Sequence, residues 1–400
     1  MKTNRKIILL ILGLLSAIGP FSIDMYLPAF DTIAGDFNTN IEKVQLSLTS
    51  FFIGIAIGQL IYGPLLDKYG RKKPLMVGLG IYVVTSILCV FTPDVDSLIL
   101  LRFAQALGSC AGMVASRAMV QDYYQGKEAA RVFSLLMLVI AISPILAPSA
   151  GAFLLDYFDW HYIFIALFAI GFVILISTIF MLPESYAGNK NFSLAPKAIV
   201  SQYFQVFTNQ TFIFYCLIAS TASAGLYAYL AGSSYVLQDL YGLSKKEYGL
   251  AFAFVASALI ISTQLNRVFL KKWSMQQICV VANIGQVLVG LLMLVSLWNN
   301  MITFPVILGL TFGYLMFQGF IFPNASAMAM APFRISAGSA SALLGFLQMG
   351  LGALSSGLVS IFHNNTPQPM LLAMCICAVL SLVLHIVKRN LKDNKKEALL

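Results

Sequence analysis

Gly58-Gln-Leu-Ile-Tyr-Gly-Pro-Leu-Leu-Asp-Lys-Tyr-Gly-Arg-Lys-Lys73 starts inside an apolar run and ends in a cluster of charges, after which a second apolar run opens at Pro74. A helix of roughly 20 apolar residues is long enough to cross about 30 Å of hydrocarbon. The stretch therefore reads as a tight charged turn between two membrane spans, with Gly70 allowing the chain to reverse. On either side the same alternation recurs. The predicted spans are 7–30, 44–66, 74–92, 97–121, 131–155, 160–182, 208–236, 247–270, 275–298, 302–324, 337–361 and 367–388. Twelve transmembrane helices in an all-α integral membrane protein are the expected fold class.

Composition supports this reading. The 400 residues are 59% apolar and only 10% charged, against about 25% charged in soluble domains, which leaves too little polar surface to face water. The net charge of +9 would suggest a nucleic-acid partner in a soluble chain. Here its distribution is topological. With the N-terminus placed in the cytoplasm, only Lys43, Lys245 and Lys246 of the 25 Lys and Arg residues fall on the outer side, and Arg102 and Arg117 lie within spans. This satisfies the positive-inside rule with both termini cytoplasmic. A bilayer is the expected environment, in a cell's inner membrane, and no nucleic-acid role is expected.

The basic start before the first run has no small-residue cleavage site and is expected to remain as an uncleaved first span. Cys89, Cys110, Cys216, Cys279, Cys375 and Cys377 all fall inside the runs without metal spacing, so they read as small buried residues. No metal site and no cofactor are expected. His161, His363 and His385 are isolated near span ends, and neither a phosphate-binding glycine loop nor an H-E-x-x-H pair occurs. An enzyme or an ATP-driven pump is therefore not expected, and energy would have to come from an ion gradient.

The longest non-apolar stretch lies near the middle, so the expected organisation is a six-helix bundle at 1–182, a cytoplasmic linker at 183–205 and a second bundle with a basic tail at 206–400. Leu66-Asp67-Lys68 with Arg71-Lys72 is echoed by Leu265-Asn266-Arg267 with Lys271-Lys272. An echo at that distance suits parallel repeats, with binding at the repeat interface.

Charges deep in spans are costly and usually functional. Asp24 is the only carboxylate deep in a predicted span, with Arg102 and, nearer the cytoplasmic end of the same helix, Arg117 as the basic residues. Asp24 comes roughly six residues before the outer end of the first span and Arg102 about five after the start of the fourth, which puts them at similar depth on a rise of 1.5 Å per residue. The expectation is that they pair, either as a packing element alone or as a site where Asp24 exchanges a proton; the alternative is that Asp24 snorkels to the outer interface. Arg102, Gln105, Ser109, Gly112 and Ser116 recur at helical spacing as a polar stripe expected to line a watery path.

Several strings together resemble the major facilitator superfamily and, more narrowly, its bicyclomycin and chloramphenicol resistance branch of drug:proton antiporters. They are Ser22-Ile-Asp-Met-Tyr-Leu-Pro28, the Gly63 to Lys73 turn, Leu101-Arg-Phe-Ala-Gln105, Ala147-Pro148 with Gly151, and Trp160-His-Tyr-Ile-Phe164. The resemblance implies that Asp24, Arg102 and Gln105 couple protons. It also implies that Gly63, Asp67, Gly70 and Arg71, with Asp122, form a cytoplasmic gate that opens and closes during alternating access. Pro144, Pro148 and Gly151 match a degraded form of the antiporter signature in the fifth helix, where two glycines are replaced by alanine; small-residue packing alone would also explain them. Ser16 stands where some relatives carry a second acid, which favours neutral or weakly charged hydrophobic substrates. Tyr26, Ser109, Tyr227, Asn324 and Gln348 are candidate cavity residues, and interhelical hydrogen bonding is the alternative for the last three. The implied activity is export of hydrophobic drugs in exchange for protons by a monomer, with a metabolite carrier on the same fold as the alternative. In such a carrier an anionic substrate would use Arg102 directly.

Overall fold

The structure, a computed structural model, describes residues 5–124, 126–189, 193–333 and 337–397. Lys2, Lys190 and Arg334, assigned above to the cytoplasmic side, lie outside these residues, as do the side chains of Lys127, Arg131, Arg389, Lys392, Lys395 and Lys396. The elements are α1 (Arg5–Asp24), a 3-10 turn (Leu27–Ala29), α2 (Phe30–Asp36), α3 (Ile41–Tyr69), α4 (Lys72–Val90), α5 (Val95–Tyr123), α6 (Gly126–Tyr157), α7 (His161–Met181) and α8 (Pro196–Phe207). They continue with α9 (Gln210–Ser234), a π-helical turn (Tyr235–Leu240), α10 (Lys245–Phe269), α11 (Met275–Trp298), α12 (Phe304–Met330), α13 (Ala337–Ile361) and α14 (Gln368–Glu397). Among the described residues there is no strand.

Among the described residues, eleven helical stretches are long and apolar enough to cross a membrane, counting Arg5–Asp36 and Gln210–Leu240 as one each. The 32-residue α6 contains the remaining predicted span, 131–155. The chain is thus a multi-pass membrane protein. The stretch expected to be a plain linker contains α8, which exposes Val200, Phe204 and Phe207 along one side.

The first span departs from the expected 7–30. Its helical stretch runs on to Asp36 and is interrupted after Asp24. Pro28 accounts for the interruption, because its ring nitrogen cannot donate to the carbonyl of Asp24 four residues earlier and its ring would clash there. Asp36, beyond the predicted end of the span, has a partner: its Oδ2 accepts a 2.9 Å hydrogen bond from Trp160 Nε1 just before α7. Asp24 therefore lies deeper in the span than its spacing suggested.

The chain divides into two compact units, residues 1–202 with 243–253 and residues 203–242 with 254–400. In the first, α5 packs on α1, α3 and α4, while α1 also packs on α6 and α7. In the second, α9 packs on α12, α13 and α14, and α11 packs on α12 and α14. All six cysteines are free and buried.

Candidate functional site

Arg102 is fully enclosed in the first unit, at 0% exposure. It does not pair with Asp24. Nη2 donates to the carbonyl of Ser22 at 2.8 Å and Nη1 to Gln105 Oε1 at 2.6 Å. The guanidinium carbon lies 4.2 Å from the centroid of the Phe51 ring and 4.6 Å from that of Tyr26. The break in α1 is the physical reason. A helix end leaves carbonyls without partners and carries partial negative charge, and a guanidinium satisfies both. Gln105 Nε2 then donates to Ser86 Oγ at 2.8 Å, and Ser22 Oγ meets Tyr82 Oη at 2.7 Å, so α1, α4 and α5 are tied in one network. Lysine cannot reproduce this fork. Arg102→Lys is expected to lower stability by about 2 kcal/mol, read as a lower thermal midpoint of the purified protein.

The polar stripe of α5 is accordingly a packing surface and does not line water. Gln105, Ser109 and Ser116 are all fully buried; Ser109 Oγ bonds the carbonyl of Ala106, and Ser116 accepts from Ser16 Oγ at 2.9 Å. Tyr26 is likewise enclosed, with its hydroxyl 2.9 Å from Ser47 Oγ. Neither Ser109 nor Tyr26 is a cavity residue here. Small and polar residues at helical spacing serve close helix contact and water equally well, and spacing alone does not separate the two.

Asp24 is 4% exposed, and its carboxylate forms no hydrogen bond or ion pair with any described residue. It ends α1, and the next residue is held by α6. Gly151 lies directly against the carbonyl of Met25, where a Cβ would collide with the backbone oxygen. Pro144 and Pro148 precede Gly151 in the same helix. The degraded signature of the fifth helix therefore retains the one glycine on which the close approach to the broken segment depends. Gly151→Ala is expected to cost about 1–3 kcal/mol through overpacking and to lower transport with it, measured as thermal midpoint and initial uptake rate.

At the charged turn, Arg71 reaches both carboxylates. Its Nη1 lies 2.8 Å from Asp67 Oδ1 and its Nε lies 3.0 Å from Asp122 Oδ2. Partial burial would depress the Arg71 pKa, but the hydrogen bonds and charges of Asp122 and Asp67 hold it above its ordinary value. Gly70 turns the chain at φ +85°, in the region that favours glycine, while Gly63 sits within α3 ahead of the turn. Reading the sequence missed the other half of this cluster. Glu184 Oε1 accepts from the backbone N–H groups of Arg71 at 2.9 Å and Lys72 at 3.2 Å, at the start of α4. Ser185 Oγ donates to Asp122 at 2.7 Å, and the Tyr186 ring lies 4.7 Å from the Arg71 guanidinium. Glu184 falls within the stretch expected to be a linker, and its signal was its place just beyond a long span. A carboxylate there can cap a neighbouring helix start.

In the second unit the cavity candidates are differently used. Asn324 Nδ2 donates to Asn266 Oδ1 at 2.7 Å and to the carbonyl of Phe320 at 2.8 Å, so it clamps α12 to α10. Asn266 is the residue that echoes Asp67. The Tyr227 ring packs on Gly352, and its hydroxyl lies 3.4 Å from Met349 Sδ. Gln348 is half-buried. The Gln318 amide lies 2.7 Å from Ser223 Oγ and 3.3 Å from the Gln286 amide, an uncharged network on α9, α11 and α12 where the first unit uses α1, α4 and α5. His385, expected near a span end, is buried within α14.

Across the chain, residues 12–357 match the family described as Major Facilitator Superfamily. The chain belongs to the major facilitator superfamily. This facilitator is 34% identical over 382 residues to the uncharacterized MFS-type transporter YdgK of Bacillus subtilis (strain 168), covering 94% of each chain. It is 30% identical to a bicyclomycin resistance protein homolog of Haemophilus influenzae, over 97% of this chain and 98% of that one. Multidrug resistance protein D of Escherichia coli (strain K12) is 29% identical over 89% of each. These relatives place the facilitator in the bicyclomycin and chloramphenicol resistance branch, as a transporter and not an enzyme. A solved D-xylose-proton symporter shares the fold, with a TM-score of 0.72 at 14% identity over 96% of this chain and 97% of that one.

Proposed function

We propose that this facilitator exports hydrophobic small molecules across the inner membrane in exchange for protons, working as a monomer with both termini in the cytoplasm and without a bound cofactor. The observation that carries the reading is Asp24. A carboxylate that is nearly enclosed, has no counter-ion among the described residues and lies at a break in its helix can take up a proton and release it without dismantling other contacts. Protonation removes the cost of charge in the membrane, and deprotonation restores it. A two-state protein can couple that difference to substrate movement. The drug-resistance relatives supply the substrate class. Arg102 is enclosed and bonded on both terminal nitrogens, which weighs against a carrier in which that residue holds an anionic metabolite.

In alternating access the Arg71 cluster acts as the cytoplasmic gate. Charge-assisted hydrogen bonds made in one state and broken in the other give the required discrete element. The test is uptake of a bicyclomycin- or chloramphenicol-like compound into inside-out vesicles under an imposed pH gradient, acid inside. Accumulation that collapses with a protonophore is expected. Accumulation indifferent to the gradient would contradict proton coupling.

A further inference from the structure

The second intramembrane arginine is not absorbed by the machinery above. Arg117 sits in α5, two turns before its cytoplasmic end, and is half-buried. Its direction follows from its helix neighbours. Met113, one turn earlier, packs against Gly19 of α1, and Cys110, two turns earlier, packs against Gly58 of α3 with its thiol 3.5 Å from the carbonyl of Ile55. Residues four and seven positions apart share a helix face, so Arg117 lies on the face of α5 turned toward α1 and α3.

Nothing described there neutralises it. Arg117 makes no hydrogen bond and no ion pair with any described residue. The adjacent Ser116 and Ser16 hydroxyls are spent on each other at 2.9 Å and on the carbonyls of Met113 and Leu12. The acid nearest in sequence, Asp122, is taken by Arg71 and Ser185. The contrast with Arg102 is informative, because there the fold gives an enclosed guanidinium two oxygen acceptors and aromatic faces. A partly enclosed guanidinium left without such partners is costly unless an outside group completes it.

We propose that Arg117 is a substrate-binding residue that completes its hydrogen bonds with the anionic group of a hydrophobic carboxylate, so that amphiphilic monoanions are bound in preference to their neutral analogues. This rests on the export reading and deepens it by naming a substrate class. A planar guanidinium offers a carboxylate two parallel N–H groups. Arg117 is only half-buried, so the apolar body of such a molecule would lie outside the closed Met113–Gly19 and Cys110–Gly58 contacts while its charged group reaches the guanidinium. Ser16 leaves no negative charge beside Ser116 to repel an anion.

The experiment is equilibrium binding of 2-naphthoate and of its neutral amide, 2-naphthamide, to the purified full chain at a pH where the acid is ionised. Wild type is expected to bind the carboxylate at least about tenfold more tightly than the amide. In Arg117→Gln that ratio should fall to about one, with amide affinity unchanged and the thermal midpoint held or raised, while Arg117→Lys keeps part of it. Arg117→Met serves the same purpose should the glutamine variant not fold. A wild-type ratio near one, absence of carboxylate binding, or a preference that survives in either folded neutral variant overturns the proposal. Binding requires no gradient, so failure of proton coupling would be seen separately in the vesicle uptake assay and would leave this result unaffected.

Discussion

Asp24→Asn is expected to abolish gradient-driven uptake, reducing it by about a hundredfold or more, while leaving the protein folded and able to exchange drug for drug. The physical basis is the isolation of the carboxylate. Asn has nearly the same volume, and because Asp24 makes no hydrogen bond or ion pair with a described residue, the substitution leaves no buried group stripped of its partner. Removing an ionisable group from a span also removes a cost, so the thermal midpoint should hold or rise. What disappears is the exchangeable proton. Drug-for-drug exchange requires both states to be visited and no net proton movement, so it should survive. Asp24→Glu retains the proton but moves it by one methylene beside the tight Gly151–Met25 contact, and partial activity is expected. A loss of exchange equal to the loss of uptake would show that Asp24 holds the fold and does not couple.

Arg71→Ala is the second large effect, with uptake expected to fall about tenfold or more. The guanidinium spans two carboxylates from different helices at 2.8 and 3.0 Å and is itself only 12% exposed. Its removal leaves Asp122, at 18% exposure, without its cation. For buried pairs such a loss is worth about 3–5 kcal/mol, and the 45% exposure of Asp67 places this cluster below that range. If the cluster gates as proposed, the closed state loses its preference and the populations of the two states shift. Arg71→Lys should recover little, because one ammonium cannot bridge both acids with the geometry of the fork. Initial uptake rates of the three proteins at matched reconstitution decide this, and full activity of the lysine variant would contradict the bridging role.

The fold was legible in the sequence because its causes are local and repeated. Apolar length, the side on which Lys and Arg collect, and the Asp67–Gly70–Arg71 spacing each follow from membrane physics without knowledge of tertiary contacts. The Arg71 cluster was half legible. Asp67 and Arg71 are four residues apart on one helix-turn unit, whereas Glu184 is brought in from 113 residues away and only packing shows it. Arg102 and Asp24 were found as charges in spans, but their pairing was not there. Depth was matched, since Arg102 reaches the carbonyl of Ser22 and the ring of Tyr26 on either side of Asp24, but residues two apart on a helix face different sides. The carbonyl of Ser22, left without a helical partner at the end of α1, takes the guanidinium in place of the carboxylate. The stripe on α5 and the polar residues Asn324 and Tyr227 meet neighbouring helices for a related reason: a polar residue in a span must find a partner, and a neighbouring helix often provides it. Arg117 was visible as a charge and gained significance only when the structure left it unmatched.

The most direct test of the central claim is the proton itself. Wild type and Asp24→Asn would be reconstituted in liposomes holding a pH-sensitive dye under an imposed pH gradient, and a hydrophobic drug added outside. Drug-triggered proton movement in wild type and its loss in Asp24→Asn is the predicted result. Equal proton movement in the two proteins would remove Asp24 as the coupling site.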